Sequence, residues 1–135
     1  MRRYLLDTGI AQDFVNRRHG VPERADRERH HGHRIGICVP VLGELWSGVE
    51  CSATRDRNAR RLRHGLSRLV VRPYTVEAAA EFGRVFAELR GLGRPMQQVD
   101  MMIAAIARTL GDCVVVTTDS DLSAIPGLTV ENWAV

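Results

Sequence analysis

Lysine is absent: all 19 basic positions of the 135-residue chain are arginine. That excludes two α/β classes that also place aspartates on a sheet rim, phosphoryl-receiver domains and haloacid-dehalogenase-like domains, because both rely on a lysine beside the carboxylates. The first acidic motif, Asp7-Thr8-Gly9, also departs from the DxDGT of the second class. No apolar run approaches the roughly 20 residues that span a bilayer. The N-terminal MRRYLLDTG has three apolar residues before Asp7, too few for a signal-peptide core, so a cytoplasmic protein with no membrane partner is expected. Cysteine is sparse, odd in number and without CxxC spacing; Cys38, Cys51 and Cys113 are expected to be buried reduced thiols. Repeats, linkers and low-complexity tracts are also missing, which leaves one domain over residues 1–135.

What is present is globular: 44% hydrophobic and 26% charged residues, with net charge +3 and pI near 9.1. That balance permits a polyanionic partner without requiring one. Strand-like and helix-like segments alternate. Strands are expected at 3–7, 35–39, 69–74, 113–117 and 128–132. Helices are expected at 10–18, 22–31 (opened by Pro22), from Pro40 through LGELWSGVE, at 54–67, from Thr75 to the Gly91/Gly93 stop, and at 97–111. In the fifth helix Ala79, Phe82, Val85, Phe86 and Leu89 form the expected buried stripe. CVVVT, lacking alternation, reads as a strand buried on both faces. Alternation of this kind implies an α/β fold, a parallel sheet covered by helices on both faces, with ligands outside the carboxyl ends of the strands.

Topology converts sequence positions into heights. Asp7 ends the first strand on the upper rim, and Glu44 falls in the first turns of the helix leaving strand 35–39. From Asp100 the helix descends for about 11 residues, roughly 16 Å, and strand 113–117 climbs roughly the same distance. Asp119 therefore returns to the rim that Asp100 left, with Asp121 two residues beyond. Asp112 precedes its strand and belongs at the opposite end, while Glu77, Glu81 and Glu88 fit a solvated helix face. Each rim acid also has an ordinary use: Asp7 and Asp119 as helix N-caps, Glu44 and Asp100 as partners of a helix dipole. No single acid is specific; the constellation is. Clustered carboxylates repel one another, and desolvation worsens the repulsion, so a cation is expected among them. Carboxylate ligands suit Mg²⁺ or Mn²⁺ rather than zinc, which points to metal-assisted phosphodiester hydrolysis. Thr8 and Thr117 lie beside the acids as supporting hydroxyls.

LLDTG (5–9), VLGELWSGV (41–49), QQVDMMIAAIA (97–107) and VVTTDSDLSAIPGLTVENW (115–133) together resemble the PIN domain, and more narrowly the VapC-type toxins of bacterial toxin–antitoxin pairs. The resemblance spans nearly the whole chain in order. It implies a three-layer α/β sandwich with a five-stranded parallel sheet, and a Mg²⁺- or Mn²⁺-dependent endoribonuclease acting on RNA, transfer RNA being a common target class among relatives. It also implies a homodimer and a cognate antitoxin whose segment fills the groove near the acids. Asp7, Glu44, Asp100 and Asp119 match the acidic quartet, Thr117 the hydroxyl two residues before the fourth acid, and Asp121 an additional acid. Gly9 stands where the family commonly has asparagine, and Leu122 where it has phenylalanine. A catalytically silent PIN scaffold and a DNA nuclease of the same chemistry are the alternatives.

Arg55, Arg57, Arg60, Arg61, Arg63, Arg68 and Arg72 lie within 18 residues. Arginine forks pair with phosphate, so Arg55 to Arg63 are candidate RNA contacts. The same stretch also reads as a solvated helix with Ala59, Leu62 and Leu66 inward. His30, His31 and His33 read as a solvated helix end, and Trp46 and Trp133 as buried or interfacial residues rather than base-stacking platforms.

Overall fold

A computed structural model describes residues 1–135. The chain alternates as the sequence predicts: β1 (Arg3–Leu6), α1 (Thr8–Val15), α2 (Val21–His30), β2 (Arg34–Cys38), α3 (Val39–Glu50), α4 (Arg55–Leu66), β3 (Val70–Arg72), α5 (Val76–Gly91), α6 (Gln98–Leu110), β4 (Cys113–Val116) and β5 (Thr129–Glu131). A short 3₁₀ turn, Ser120–Ala124, links the last two strands. Proline falls in the first turn of α2 and of α3, where its missing N–H is harmless. Thr75 caps α5, its hydroxyl accepting from Ala78 N at 3.0 Å. No helix is long and apolar enough to cross a membrane.

All strand pairs are parallel, in the order β3-β2-β1-β4-β5. Arg3 stands level with Arg34 and Cys113 at the lower end, and Leu6 level with Val116 at the upper end. The order reverses at β1: the chain first builds outward through β2 and β3, then crosses to β4 on the other side. Ligand crevices form outside the carboxyl ends at such a reversal, here between the ends of β1 and β4. Strand residues alternate between faces. Tyr4 reaches Glu28 of α2, whereas Arg3 donates to the carbonyls of Leu110 and Gly111 at the end of α6, so α2 and α6 cover opposite faces. The core is Leu5, Leu6, Ile37, Val115 and Val116 from the strands with Ile103, Ala104 and Ile106 from α6. Gly36 is required for close packing within the sheet: a Cβ there would sit 2.5 Å from the Val70 carbonyl oxygen.

Several expectations need correction. The buried stripe of α5 is Ala78, Val85 and Leu89 with Phe82 half-buried; Ala79 is exposed and Phe86 is 49% exposed. The helix packs chiefly against α6, a single seam narrower than a sheet would demand. Glu81 and Glu88 are not merely solvated, because both pair with Arg108 of α6. Cys38 is buried and Cys113 half-buried, but Cys51, capping the exposed end of α3, is open to solvent. His30 and His31 are exposed. His33 instead accepts from Arg2 N at 3.0 Å and meets Tyr4 edge-on.

Glu28, 8% exposed, anchors α2 and the C-terminal segment to β1. Its carboxylate accepts from Tyr4 Oη at 3.2 Å and Arg24 Nε at 3.0 Å. Arg24 continues to Glu131 at 3.3 Å and lies over the buried Trp133 ring. Burial works to raise the Glu28 pKa, yet the bonds from Arg24 and Tyr4, with the charges of Arg24 and His33, outweigh it and leave the value lowered. A depressed folded-state pKa means stability is present above the unfolded value of 4.5 and is lost as pH falls through the folded value. Glu28→Gln is expected to destabilise by about 1–3 kcal/mol at pH 7. Thermal melts should show that difference shrinking as pH falls below the unfolded value of 4.5 and vanishing once the folded carboxyl is itself protonated.

Candidate active site

The four rim acids come from four different elements and lie on one rim, at the strand-order reversal. Asp7 follows the last residue of β1 and caps α1, Oδ1 accepting from Ile10 N at 2.9 Å. This cap starts α1 at Thr8, two residues before the expected position. Its other oxygen, Oδ2, accepts from the Thr117 hydroxyl. Thr117, just past β4 and 2% exposed, also accepts from Asp119 N at 2.9 Å. One buried hydroxyl thus ties the ends of β1 and β4 together. Asp119 caps the 3₁₀ turn, accepting from Asp121 N at 2.9 Å. Capping and site membership, alternatives on sequence grounds, coincide in both Asp7 and Asp119.

Glu44, exposed on α3, accepts from the Thr8 hydroxyl at the start of α1. Asp100, half-buried in the first turn of α6, makes no hydrogen bond or ion pair. Burial raises its pKa above the ordinary value, and the charges of Asp7, Asp119, Glu44 and Asp121 raise it further in that order. Asp7 is likewise raised, first by burial and then by Asp119 and Asp13, against the lowering effect of its bonds to Thr117 and Ile10. Asp112 lies at the lower end of β4, its carbonyl accepting from Arg3 N.

Asp121, the additional acid, acts on Asp100 through its charge but lies apart from the Asp7–Thr117–Asp119 contacts. It neither caps the turn nor shares the Thr117 network. It is exposed and paired with Arg94 at 3.4 Å. Arg94 is the only cation that pairs with any of these five acids. It escaped the sequence reading because one arginine in a Gly-Arg-Pro loop carries no periodicity and belongs to no charge block.

The donors at the rim are carboxylate and hydroxyl oxygens. Cys38 lies near Glu44, but burial pushes its thiol up to about 11, so it stays neutral. In this structure no three acids converge closely enough to hold one ion. Glu44 Oε2, Asp119 Oδ2 and both Asp100 oxygens nonetheless have no hydrogen-bond donor within the protein, and burial with nearby like charges disfavours the ionised form of Asp100. Hard oxygen donors with unsatisfied charge fit Mg²⁺ or Mn²⁺.

The candidate arginines lie on α4, which packs on α1 and α3. Arg55 is held by Glu50 and Asp56, Arg61 donates to Asn16, and Arg63 covers the Trp46 ring. Arg57 and Arg60 are exposed and unpaired. Ala59 and Leu62 face inward as expected, joined by Gly65, with Leu66 half-buried. A Cβ at Gly9 would come no closer than 3.8 Å to Asp7 Oδ1, and Leu122 is fully buried.

A parallel five-stranded α/β sheet with acids at its reversal point defines the class, and the chain belongs to the PIN domain family, which matches residues 4–128. Among individual proteins it is 33% identical to the tRNA(fMet)-specific endonuclease VapC of Salmonella typhimurium, over 98% of this chain and 99% of that one. It is 32% identical to ribonuclease VapC2 of Haemophilus influenzae, with the same shares covered. Its fold is similar to DNA-bound VapBC from Salmonella typhimurium, with TM-score 0.88 and 32% identity over 99% of this chain and 100% of that one. VapBC2 from Rickettsia felis bound to a promoter DNA fragment gives TM-score 0.89 and 27% identity, over 97% and 98%.

Proposed function

We propose that the chain is a Mg²⁺- or Mn²⁺-dependent endoribonuclease, the toxin of a toxin–antitoxin pair, with Asp7, Glu44, Asp100 and Asp119 as its catalytic acids. The observation that carries the reading is Asp100, half-buried and unpaired among the other acids, with its pKa raised by burial and by the charges of Asp7, Asp119, Glu44 and Asp121. Structural acids acquire partners; this one faces only like charge. Relatives named ribonuclease favour RNA over DNA as substrate, and the VapBC neighbours favour an antitoxin partner; a homodimer is part of the same proposal.

Asp7, Glu44, Asp100 and Asp119 would hold the metal. When bound, it supplies Lewis acidity toward the phosphodiester and lowers the pKa of a coordinated water. Thr117 keeps the Asp7 carboxylate and the Asp119 backbone in fixed relation, and Thr8 restrains Glu44. The apolar walls Leu6, Val116 and Met101 exclude water from beneath the acids. The test is cleavage of single-stranded RNA oligomers with Mg²⁺ or Mn²⁺. Cleavage should be lost in EDTA and return with added metal, and induced expression should arrest bacterial growth for wild type but not for Asp7→Ala. Cleavage that persists in EDTA, or growth arrest by Asp7→Ala, contradicts the proposal.

A further inference from the structure

We propose that the pocket at the turn between α5 and α6 takes the base of a nucleotide flanking the scissile bond, with Arg94 and Arg90 on its phosphates. This inference rests on the ribonuclease reading above and assigns that site a substrate-positioning surface. The pocket, about 290 Å³, is lined by Phe86, Leu89, Arg90, Arg94, Met96 and Met101 among others. Its position ties it to the acids twice. Met101, in its wall, follows Asp100 in α6. Arg94, on its lip, reaches Asp121 at 3.4 Å.

Phe86 is the second observation. Helical periodicity places it in the buried stripe, yet it is 49% exposed and lines this pocket. The combination of an open aromatic ring, soft methionine walls and two arginines matches how proteins hold unpaired RNA, by stacking bases on aromatic rings while arginine contacts the backbone. Charge favours the same occupant. A phosphodiester approaching the rim is repelled by every acid there, and this pocket supplies two guanidinium groups, Arg90 and Arg94, the second within 3.4 Å of Asp121. Arg90 has no ion pair, and the Arg94–Asp121 pair is exposed on both sides. Exposed pairs contribute little, so Arg94 exchanges Asp121 readily for a phosphate that it can grip with two N–H groups. The lining offers aromatic, thioether and guanidinium groups but no side-chain carboxylate or amide, so stacking on Phe86 is the main contact to the base.

The test measures fluorescence anisotropy of a labelled single-stranded RNA oligomer at several salt concentrations, with every variant built on the non-cleaving Asp100→Asn protein. Phe86→Ala should weaken binding about tenfold, and Phe86→Tyr should restore it. Arg94→Ala should reduce the slope of log affinity against log salt by about 0.7, one phosphate contact on a single strand. Arg84→Ala, which removes a charge from the outer face of the same helix, should change neither. In cleavage-competent protein, Phe86→Ala should raise KM with kcat retained. Unchanged affinity for Phe86→Ala and Arg94→Ala, with wild type cleaving normally, overturns the pocket and leaves the ribonuclease reading intact. An equal effect of Arg84→Ala reduces the arginine contribution to bulk charge and also overturns it. If Phe86→Ala instead dissociates a dimer on gel filtration without altering RNA affinity, the face is a contact between copies and the inference fails. A wild type that neither binds nor cleaves RNA removes both readings.

Discussion

Asp100→Asn should abolish RNA cleavage while making the metal-free protein more stable. The first effect follows from removing a metal ligand: several kcal/mol of charge stabilisation is lost, about a 10³-fold fall in rate at 1.36 kcal/mol per decade. The second follows from the surroundings of the carboxylate. Burial and the charges of Asp7, Asp119, Glu44 and Asp121 disfavour its ionised form. The favourable α6 dipole, worth about 0.3–1 kcal/mol at such a position, does not compensate, since the net pKa shift is upward. Asparagine preserves the shape and removes the charge. At pH 7 in EDTA the variant should be more stable by on the order of 1 kcal/mol, roughly 3–5 °C in melting temperature for a chain of this size. Saturating Mg²⁺ should raise the wild-type melting temperature and leave the variant nearly unchanged. A variant that melts lower than wild type in EDTA would show that Asp100 is a structural acid.

Thr117→Val is expected to damage stability and activity together. Valine fits the buried site of the hydroxyl, so packing is retained and only polar contacts are lost. Asp7 loses the donor that helps hold its pKa down against burial, and Asp119 N loses its acceptor. Unpaired groups of this kind cost about 1–3 kcal/mol, measurable by urea denaturation. Releasing the Asp119 loop from β1 should lower cleavage about 10–100-fold, in line with losses seen when groups that orient metal ligands are removed. Thr117→Ser, which keeps the oxygen, should recover most of the activity. A Val variant with full activity would mean that the bridge between Asp7 and Asp119 is incidental.

Much of the site was legible because its cues are local. The run CVVV, the prolines opening α2 and α3 and the threonine before α5 each mark an element by backbone chemistry within a few residues. Rise per residue then carried Asp100 and Asp119 to one rim and Asp112 to the other. The misreadings share a cause. Phe86 was placed inward because helical periodicity identifies an apolar arc without stating how wide a neighbour covers it, and α5 meets chiefly one helix. Glu81 and Glu88 were read as solvated because their partner, Arg108, lies on the next helix. Asp121 pairs with Arg94 of the loop before α6, a contact that residue type and local spacing do not signal.

By itself the sequence determined the alternation of strands and helices, and with it the end of the sheet each acid reaches, since helix and strand rise are properties of the backbone alone. Only the tertiary structure decided that β4 pairs with β1, so that Asp7 and Asp119 share one threonine hydroxyl, and that Arg94 and Phe86 line one pocket with Arg94 paired to Asp121. Those placements depend on which surfaces bury one another across the fold, an outcome of packing between segments distant in the chain.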